Sequence, residues 1–317
     1  MSTKQLNINQ HIPLHELYPN NCCLCRAEAK IKELEDKIMQ LMAVPCGLIG
    51  GNMNVHEESF RKILKDVADT GVEVAPRGCK VKEICNYNYT LPPYVRFVNF
   101  KSRKLSLSYI KKEFIWYLRG DKYDTSICNH ASLWKTLINR DGSINSNYGQ
   151  YIFGTMNQFD NVVDILSEDK DSRRASIMIL GAHHLLTKTK DYPCTYCINF
   201  RIRNNELAMT VRMRSMDAIF GMGNDAPTFS FIHEMMYVTL KVLYPDLKYG
   251  NYYHSADSFH VYEKHYDMLD TIANQNDEYI EVDCPKISDV HEVQMLRSLD
   301  YSNIPENFKF IKWLTGQ

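Results

Sequence analysis

From His56 to Asp69 the segment HEESFRKILKDVAD sets Phe60, Ile63, Leu64 and Val67 at three- and four-residue intervals, the spacing that lines one face of a helix. Gly71 marks its end. The pattern returns from Ser106 to Arg119, where Leu107, Ile110, Phe114, Ile115 and Leu118 turn inward with one carboxylate, Glu113, among them. Between residues 72 and 100, β-rich pieces are broken by Pro76, Gly78 and Pro92-Pro93. In CTYCINFRIRNNELAMTVRMRS apolar and polar residues alternate on either side of Asn204-Asn205, which predicts a hairpin with Cys194 at its head and Arg214 at its tail. Beyond Gly223, PTFSFIHEMMYVTLKVLYP is apolar nearly all round, as a buried helix is. These elements mix without a regular βαβ rhythm, so the pattern predicts an α+β fold.

Residues 1–51 read as an N-terminal extension to a main domain of residues 52–317. In AEAKIKELEDKIMQLMA, Ile31, Leu34, Ile38 and Leu41 form the seam of a short amphipathic helix, suited to packing on the main domain or on a partner protein. Two heptads are too few for a coiled coil. CGLIGGN, residues 46–52, reads as a linker.

The chain has 317 residues, 44% of them hydrophobic, enough to bury a substantial core. Lys and Arg number 37 against 38 Asp and Glu, so the net charge of -1 supplies no global field for a nucleic-acid backbone, although a local phosphate site is compatible with it. No apolar run approaches the ~18 residues of a membrane span, and MSTKQLNINQ lacks the blocks of a signal peptide. A cytoplasmic protein is expected, in the host cytoplasm if the source is viral. Ten scattered cysteines then read as reduced thiols. A zinc site from His11, His15, Cys22, Cys23 and Cys25 lacks a regular ligand spacing, so no metal is expected.

Taken alone, Cys194 is most simply a small buried hydrophobe. Cys197 is expected on the opposite face of the same strand, which argues against a redox or metal pair. Arg173, Arg174 and Arg214, if close, would lower the Cys194 pKa and make a thiolate nucleophile. Arg173-Arg174 and Arg214-Ser215 also suit bidentate phosphate binding, or are surface ion pairs. Glu113 on an apolar face is either poised for acid–base work by burial or held in a structural ion pair.

Seven blocks in order, EFIWYLRGD (113–121), NHASLW (129–134), NYGQYIFG (147–154), DSRRASIMI (171–179), PCTYCINF (193–200), RMRSMDAIFGMGND (212–225) and SFHVYEKH (258–265), resemble the thymidylate synthase superfamily. The likeness runs from about residue 56 to 265. It implies a mixed β-sheet packed with helices and a homodimer formed through the sheet. By that resemblance Cys194 is the nucleophile that adds to pyrimidine C6, and Arg77, Arg214 and Ser215 hold the nucleotide 5′-phosphate. Arg173 and Arg174 reach the same phosphate from the other subunit. His260 and Tyr262 bind the sugar 3′-hydroxyl, and Asp217 holds the base and folate region. Glu113 and Tyr148 belong to the proton-transfer network, and Trp134 is a wall of the folate pocket. The implied co-substrate is 5,10-methylenetetrahydrofolate, and the implied nucleotide is a pyrimidine deoxynucleoside monophosphate.

The sequence departs from the synthases at Asp225, where they carry an asparagine. A carboxyl there takes an amino hydrogen and, when protonated, donates to a ring nitrogen, which is the pattern cytosine presents. The exchange resembles the branch of the superfamily that hydroxymethylates deoxycytidylate, with water capturing the methylene and tetrahydrofolate released. Alternatively Asp225 is the N-cap of the following helix, with Pro227 just inside. Thr195 in place of histidine, Lys135 in place of an acid and the tail NFKFIKWLTGQ also depart from the synthases. A thymidylate synthase, a deoxyuridylate hydroxymethylase, a deoxycytidylate C5-methylase giving dihydrofolate, and a catalytically silent nucleotide-binding protein remain open readings.

Overall fold

The computed structural model describes residues 54–186 and 189–317. The expected N-terminal helix, the linker and the zinc candidates lie outside the described residues. Helix α1, Val55–Thr70, starts where the Asn54 side chain accepts from His56 N and buries the four residues its periodicity marked. Strands β1, Val72–Val74, and β2, Val81–Leu91, flank a 3-10 turn at Pro76–Gly78. Helix α2, Leu107–Arg119, is capped by the Ser106 side chain. Short helices α3, Leu133–Leu137, and α4, Gly149–Ile152, lead to α5, Gln158–Glu168, then β3, Ser176–Met178, and α6, Ala182–Leu186.

The hairpin forms as its alternation requires. Strands β4, Thr195–Arg203, and β5, Glu206–Met213, turn at Asn204 and Asn205, both with positive φ (50° and 60°), which matches the twist of a two-residue hairpin loop. Strand β6, Met216–Asp217, precedes the long helix α7, Phe220–Lys241, and β7, Lys248–Tyr262, follows. Helices α8, Tyr266–Asn274, α9, Val290–Ser298, and α10, Lys309–Thr315, complete the order.

These strands make one mixed seven-stranded sheet in the order β1-β2-β7-β5-β4-β3, with β6 also on β7. Strand β7 runs antiparallel to β2 and parallel to β5 and β6. One face of β4 sends Ile198, Phe200 and Ile202 into the core. The other carries Asn199, Arg201 and Arg203 beside Thr210, Arg212 and Tyr253, a polar face lining a shallow depression. Helix α7 is buried nearly all round, against α2, α5, α9, β6 and β7. Its charged Glu234 is satisfied by Arg96 at 2.8 Å and by the backbone N–H of Ile287 at 2.9 Å.

The start of α7 corrects an expectation. The helix begins at Phe220, before Gly223, so Pro227 lies inside it and Asp225 is a helical residue with no capping role. The N-cap position is Ile219, and two residues before it Asp217 Oδ1 accepts from the N–H groups of Ile219 (2.9 Å) and Phe220 (3.3 Å). Among the described residues no helix is long and apolar enough to cross a membrane.

Candidate active site

A cavity of about 920 Å³ opens between the ends of β4–β7, the N-terminal turns of α7 and helix α2. Its volume lies near the top of the roughly 300–1,000 Å³ range of small-molecule sites, room for two ligands side by side. Eleven of the thirteen expected site residues line it: Arg77, Glu113, Trp134, Tyr148, Cys194, Arg214, Ser215, Asp217, Asp225, His260 and Tyr262. Arg173 and Arg174 do not; both are exposed elsewhere on the surface.

The hairpin brings Cys194 and Arg214 together. Arg214 N donates to the Cys194 carbonyl at 2.8 Å, and its guanidinium donates to Pro193 O (3.1 Å), Tyr192 O (2.9 Å) and the Cys194 Sγ (3.6 Å). On the other side Cys194 N donates to the Tyr148 hydroxyl at 3.2 Å. The expected lowering of the thiol pKa by three arginines is not what these contacts produce. Burial pushes Cys194 up and Asp225 and Asp191 add to it, while Arg214 and Arg77 oppose; within one chain Arg173 and Arg174 lie elsewhere. The nucleophile candidate therefore rests as a thiol beside a fixed cation. Cys197 is also a free thiol and does not line the cavity.

Helix α2 presents Glu113, 3% exposed, to the cavity. Its Oε1 accepts from the Tyr109 hydroxyl at 2.7 Å, and the Tyr109 oxygen accepts from Trp134 Nε1 at 2.9 Å. Burial pushes the Glu113 carboxyl up to about 7, against the pull of the Tyr109 hydroxyl. Asp225, partly exposed to the cavity and without a hydrogen-bond partner among the described residues, is pushed well above the usual carboxylate range by burial, then by Glu113 and Asp217. Two neighbouring carboxyls thus favour their neutral forms.

The pairing of β6 with β7 sets Asp217 opposite His260, whose Nδ1 lies 3.3 Å from Ser258 Oγ and whose ring meets Tyr262 edge-on at 5.1 Å. Burial lowers the His260 pKa, with Asp217 opposing. Arg77 sits in the exposed turn between β1 and β2 with φ 55°. Apolar walls come from Trp134, Leu133, Leu137 and Phe220.

Three residues of the site were not marked by sequence reasoning. Tyr109 stands one turn before Glu113 on the same helix, a spacing that does carry a signal. Arg103 is a buried cation whose guanidinium donates to Ile219 O (3.3 Å) and Asn224 Oδ1 (3.1 Å), so it holds the first turns of α7. It passes where Gly223 has no side chain; a Cβ there would stand 2.3 Å from its Nη2. Burial holds the Arg103 pKa down to about 10. Asp191, also buried, accepts from Ser146 N at 2.8 Å and from the Ser146 hydroxyl, tying the segment of Tyr148 to that of Cys194.

A thiol beside an arginine, two neutral-leaning carboxyls and an apolar wall suit covalent chemistry on a polar ring next to a flat second ligand. Comparison with known proteins agrees with that description. The thymidylate synthase family profile matches residues 58–306. The chain is 28% identical over 175 residues to a deoxycytidylate 5-hydroxymethyltransferase of Enterobacteria phage T6, covering 52% of this chain and 71% of that protein. It is 29% identical over 220 residues to a deoxyuridylate hydroxymethyltransferase of Bacillus phage SP01, covering 64% of this chain but only 56% of that protein. A thymidylate synthase of Buchnera aphidicola subsp. Acyrthosiphon pisum (strain Tuc7) is 24% identical over 225 residues, 67% of this chain and 81% of its own length. With the profile covering most of the described fold, cavity included, the chain belongs to the thymidylate synthase family, enzymes that transfer a one-carbon unit and bind a nucleoside monophosphate with methylenetetrahydrofolate as co-substrate.

Proposed function

We propose that this protein is a deoxycytidylate 5-hydroxymethyltransferase. The observation that carries the reading is the Asp225 carboxyl, unpartnered in the cavity and biased towards its neutral form by burial, Glu113 and Asp217. Cytosine presents an amino donor and a basic N3. A neutral carboxyl pairs with both atoms, accepting from the amino group and donating to N3. The neutral form also reaches O4 and N3–H of uracil, but O4 is a far weaker base than cytosine N3, so the acid proton is held more tightly against cytosine. The deoxycytidylate 5-hydroxymethyltransferases of phages T6, T2 and T4, at 27–28% identity, support the same choice.

In this reading the 5′-phosphate binds Arg77, Arg214 and Ser215, with Arg173 and Arg174 supplied by a second subunit through the polar sheet face. His260 and Tyr262 take the 3′-hydroxyl. Cys194 gives up its proton and adds to C6, which makes C5 nucleophilic, and binding next to Arg214 stabilises the sulfur anion. Methylenetetrahydrofolate supplies the carbon at the oxidation level of formaldehyde, held against Trp134 and Asp217. Glu113 and Tyr148 move the protons. After C5 loses its proton, water adds to the new exocyclic carbon and the Cys194 sulfur leaves C6, giving 5-hydroxymethyl-dCMP and tetrahydrofolate. Tritium release from [5-3H]dCMP and [5-3H]dUMP, with mass analysis of the product, tests this. A gain of CH2O on dCMP supports it, a gain of CH2 makes the protein a cytosine methylase, and release from dUMP alone overturns the reading of Asp225. The alternative, a deoxyuridylate hydroxymethylase or thymidylate synthase, is favoured by the longer matches to the SP01 and Buchnera proteins.

A further inference from the structure

We propose that Tyr109 is a positioning residue that confines the acid proton of Glu113 to one oxygen, Oε2. An indole N–H only donates, so the 2.9 Å contact from Trp134 Nε1 makes the Tyr109 oxygen an acceptor there. The single hydroxyl hydrogen of Tyr109 is then directed to Glu113 Oε1 at 2.7 Å. That oxygen accepts in both protonation states, so the proton of the neutral acid has only Oε2 to occupy. Oε2 is buried and has no hydrogen-bond partner among the described residues, in a side chain that lines the cavity. A buried polar atom without a partner is costly, and it is retained where a bound molecule supplies the missing contact. Trp134, by position a wall of the cavity, is thereby coupled to the protonation of Glu113 through one phenol.

The groups facing Glu113 are Tyr109 and Tyr117 from its own helix and Asp225 and Thr228 from α7. Thr228 lies close enough to pull the Glu113 carboxyl down as well, but its one hydroxyl hydrogen points to the Asn224 carbonyl at 2.9 Å, so Tyr109 is the donor that selects between the two carboxyl oxygens. The inference rests on the reading of Glu113 as an acid–base group, and the test separates the two. The full-length chain labelled with [13C-carboxyl]glutamate is titrated by NMR without substrates, with Glu113→Gln assigning the signal. Tyr109→Phe removes a donor to the charged form, so the Glu113 midpoint moves up, by about 0.4–1 unit for one hydrogen bond. The acid limb of kcat for tritium release moves in the same direction, with KM for dCMP unchanged. An unmoved midpoint overturns the role of Tyr109. A moved midpoint with no turnover of dCMP by either protein sinks the functional reading and leaves Tyr109 in place. Should Tyr109→Phe not fold, Trp134→Phe weakens the same donor; a smaller upward shift supports the chain of donors, and no shift overturns it.

Discussion

Asp225→Asn keeps the size of the side chain and removes its ionisable proton. The two carboxyl oxygens of Asp225 have no partner among the described residues, and burial, then Glu113 and Asp217, raise its pKa, so in a complex its pairing is expected with the base. An amide matches uracil at both O4 and N3–H. The wild-type carboxyl makes both of those bonds only while it keeps its proton, and each contact left unpaired costs about 1–3 kcal/mol, or roughly 5–150-fold in kcat/KM. The substitution is therefore expected to lower the dCMP-to-dUMP ratio of kcat/KM by about that factor, chiefly through gained dUMP activity. Competitive tritium release from the two nucleotides in one tube measures the ratio directly. A ratio that Asp225→Asn leaves unchanged, in a protein that still turns over dCMP, would falsify the assignment of this carboxyl to the base.

Other outcomes follow from the same geometry. Because the buried Glu113 titrates near 7 in the fold and near 4.5 when unfolded, the native state holds the extra proton between those values. Stability therefore falls as pH rises through that window, by up to about 3 kcal/mol, and Glu113→Gln flattens the dependence in urea unfolding at pH 5 and 8. Gly223→Ala puts a Cβ 2.3 Å from Arg103 Nη2, so the guanidinium gives up its hold on Ile219 and Asn224; a loss of about 1–3 kcal/mol in urea midpoint and a higher KM for the nucleotide are expected. Cys194→Ala and Arg174→Ala are each expected to abolish turnover. If the arginine serves the neighbouring subunit, dissociating and re-mixing them restores about a quarter of wild-type activity, since half the dimers carry one intact site; no recovery means that Arg174 does not complete a neighbour's site.

The amphipathic helices and the hairpin were legible because each carries its own punctuation: Ser106 ahead of α2, Asn204-Asn205 between alternating strands. The start of α7 was not, because proline favours the first turn of a helix and Pro227 drew the boundary towards itself. The true signal was Asp217, a carboxylate that accepts from the first N–H groups of the helix and is hidden inside a motif with another implied role. Strand β7 escaped notice because KYGNYYHSADSFHVY has little apolar alternation; it is buried by its neighbours in the sheet. Most of the candidate site was legible through block order. The protonation of Cys194 was not, since burial, which no motif displays, pushes the thiol up, and within one chain only Arg214 reaches the sulfur. Tyr109 lay in an ordinary helical stretch, and its role emerges from hydrogen-bond direction.

Strand β7 pairs Val81 with Tyr262 and Glu83 with His260, partners about 180 residues apart in the chain. Such distant partners make loop closure slow relative to local hairpins. The β4–β5 hairpin, with Cys194 and Arg214 at its open end, has all its pairs within a short stretch and needs no distant segment to register. During synthesis the nucleophile and its cation are thus available to associate before β7 exists. The turn bearing Arg77 and the ring pair His260 and Tyr262 meet only after the strand is complete, so nucleotide binding is a property the growing chain acquires late and nearly all at once.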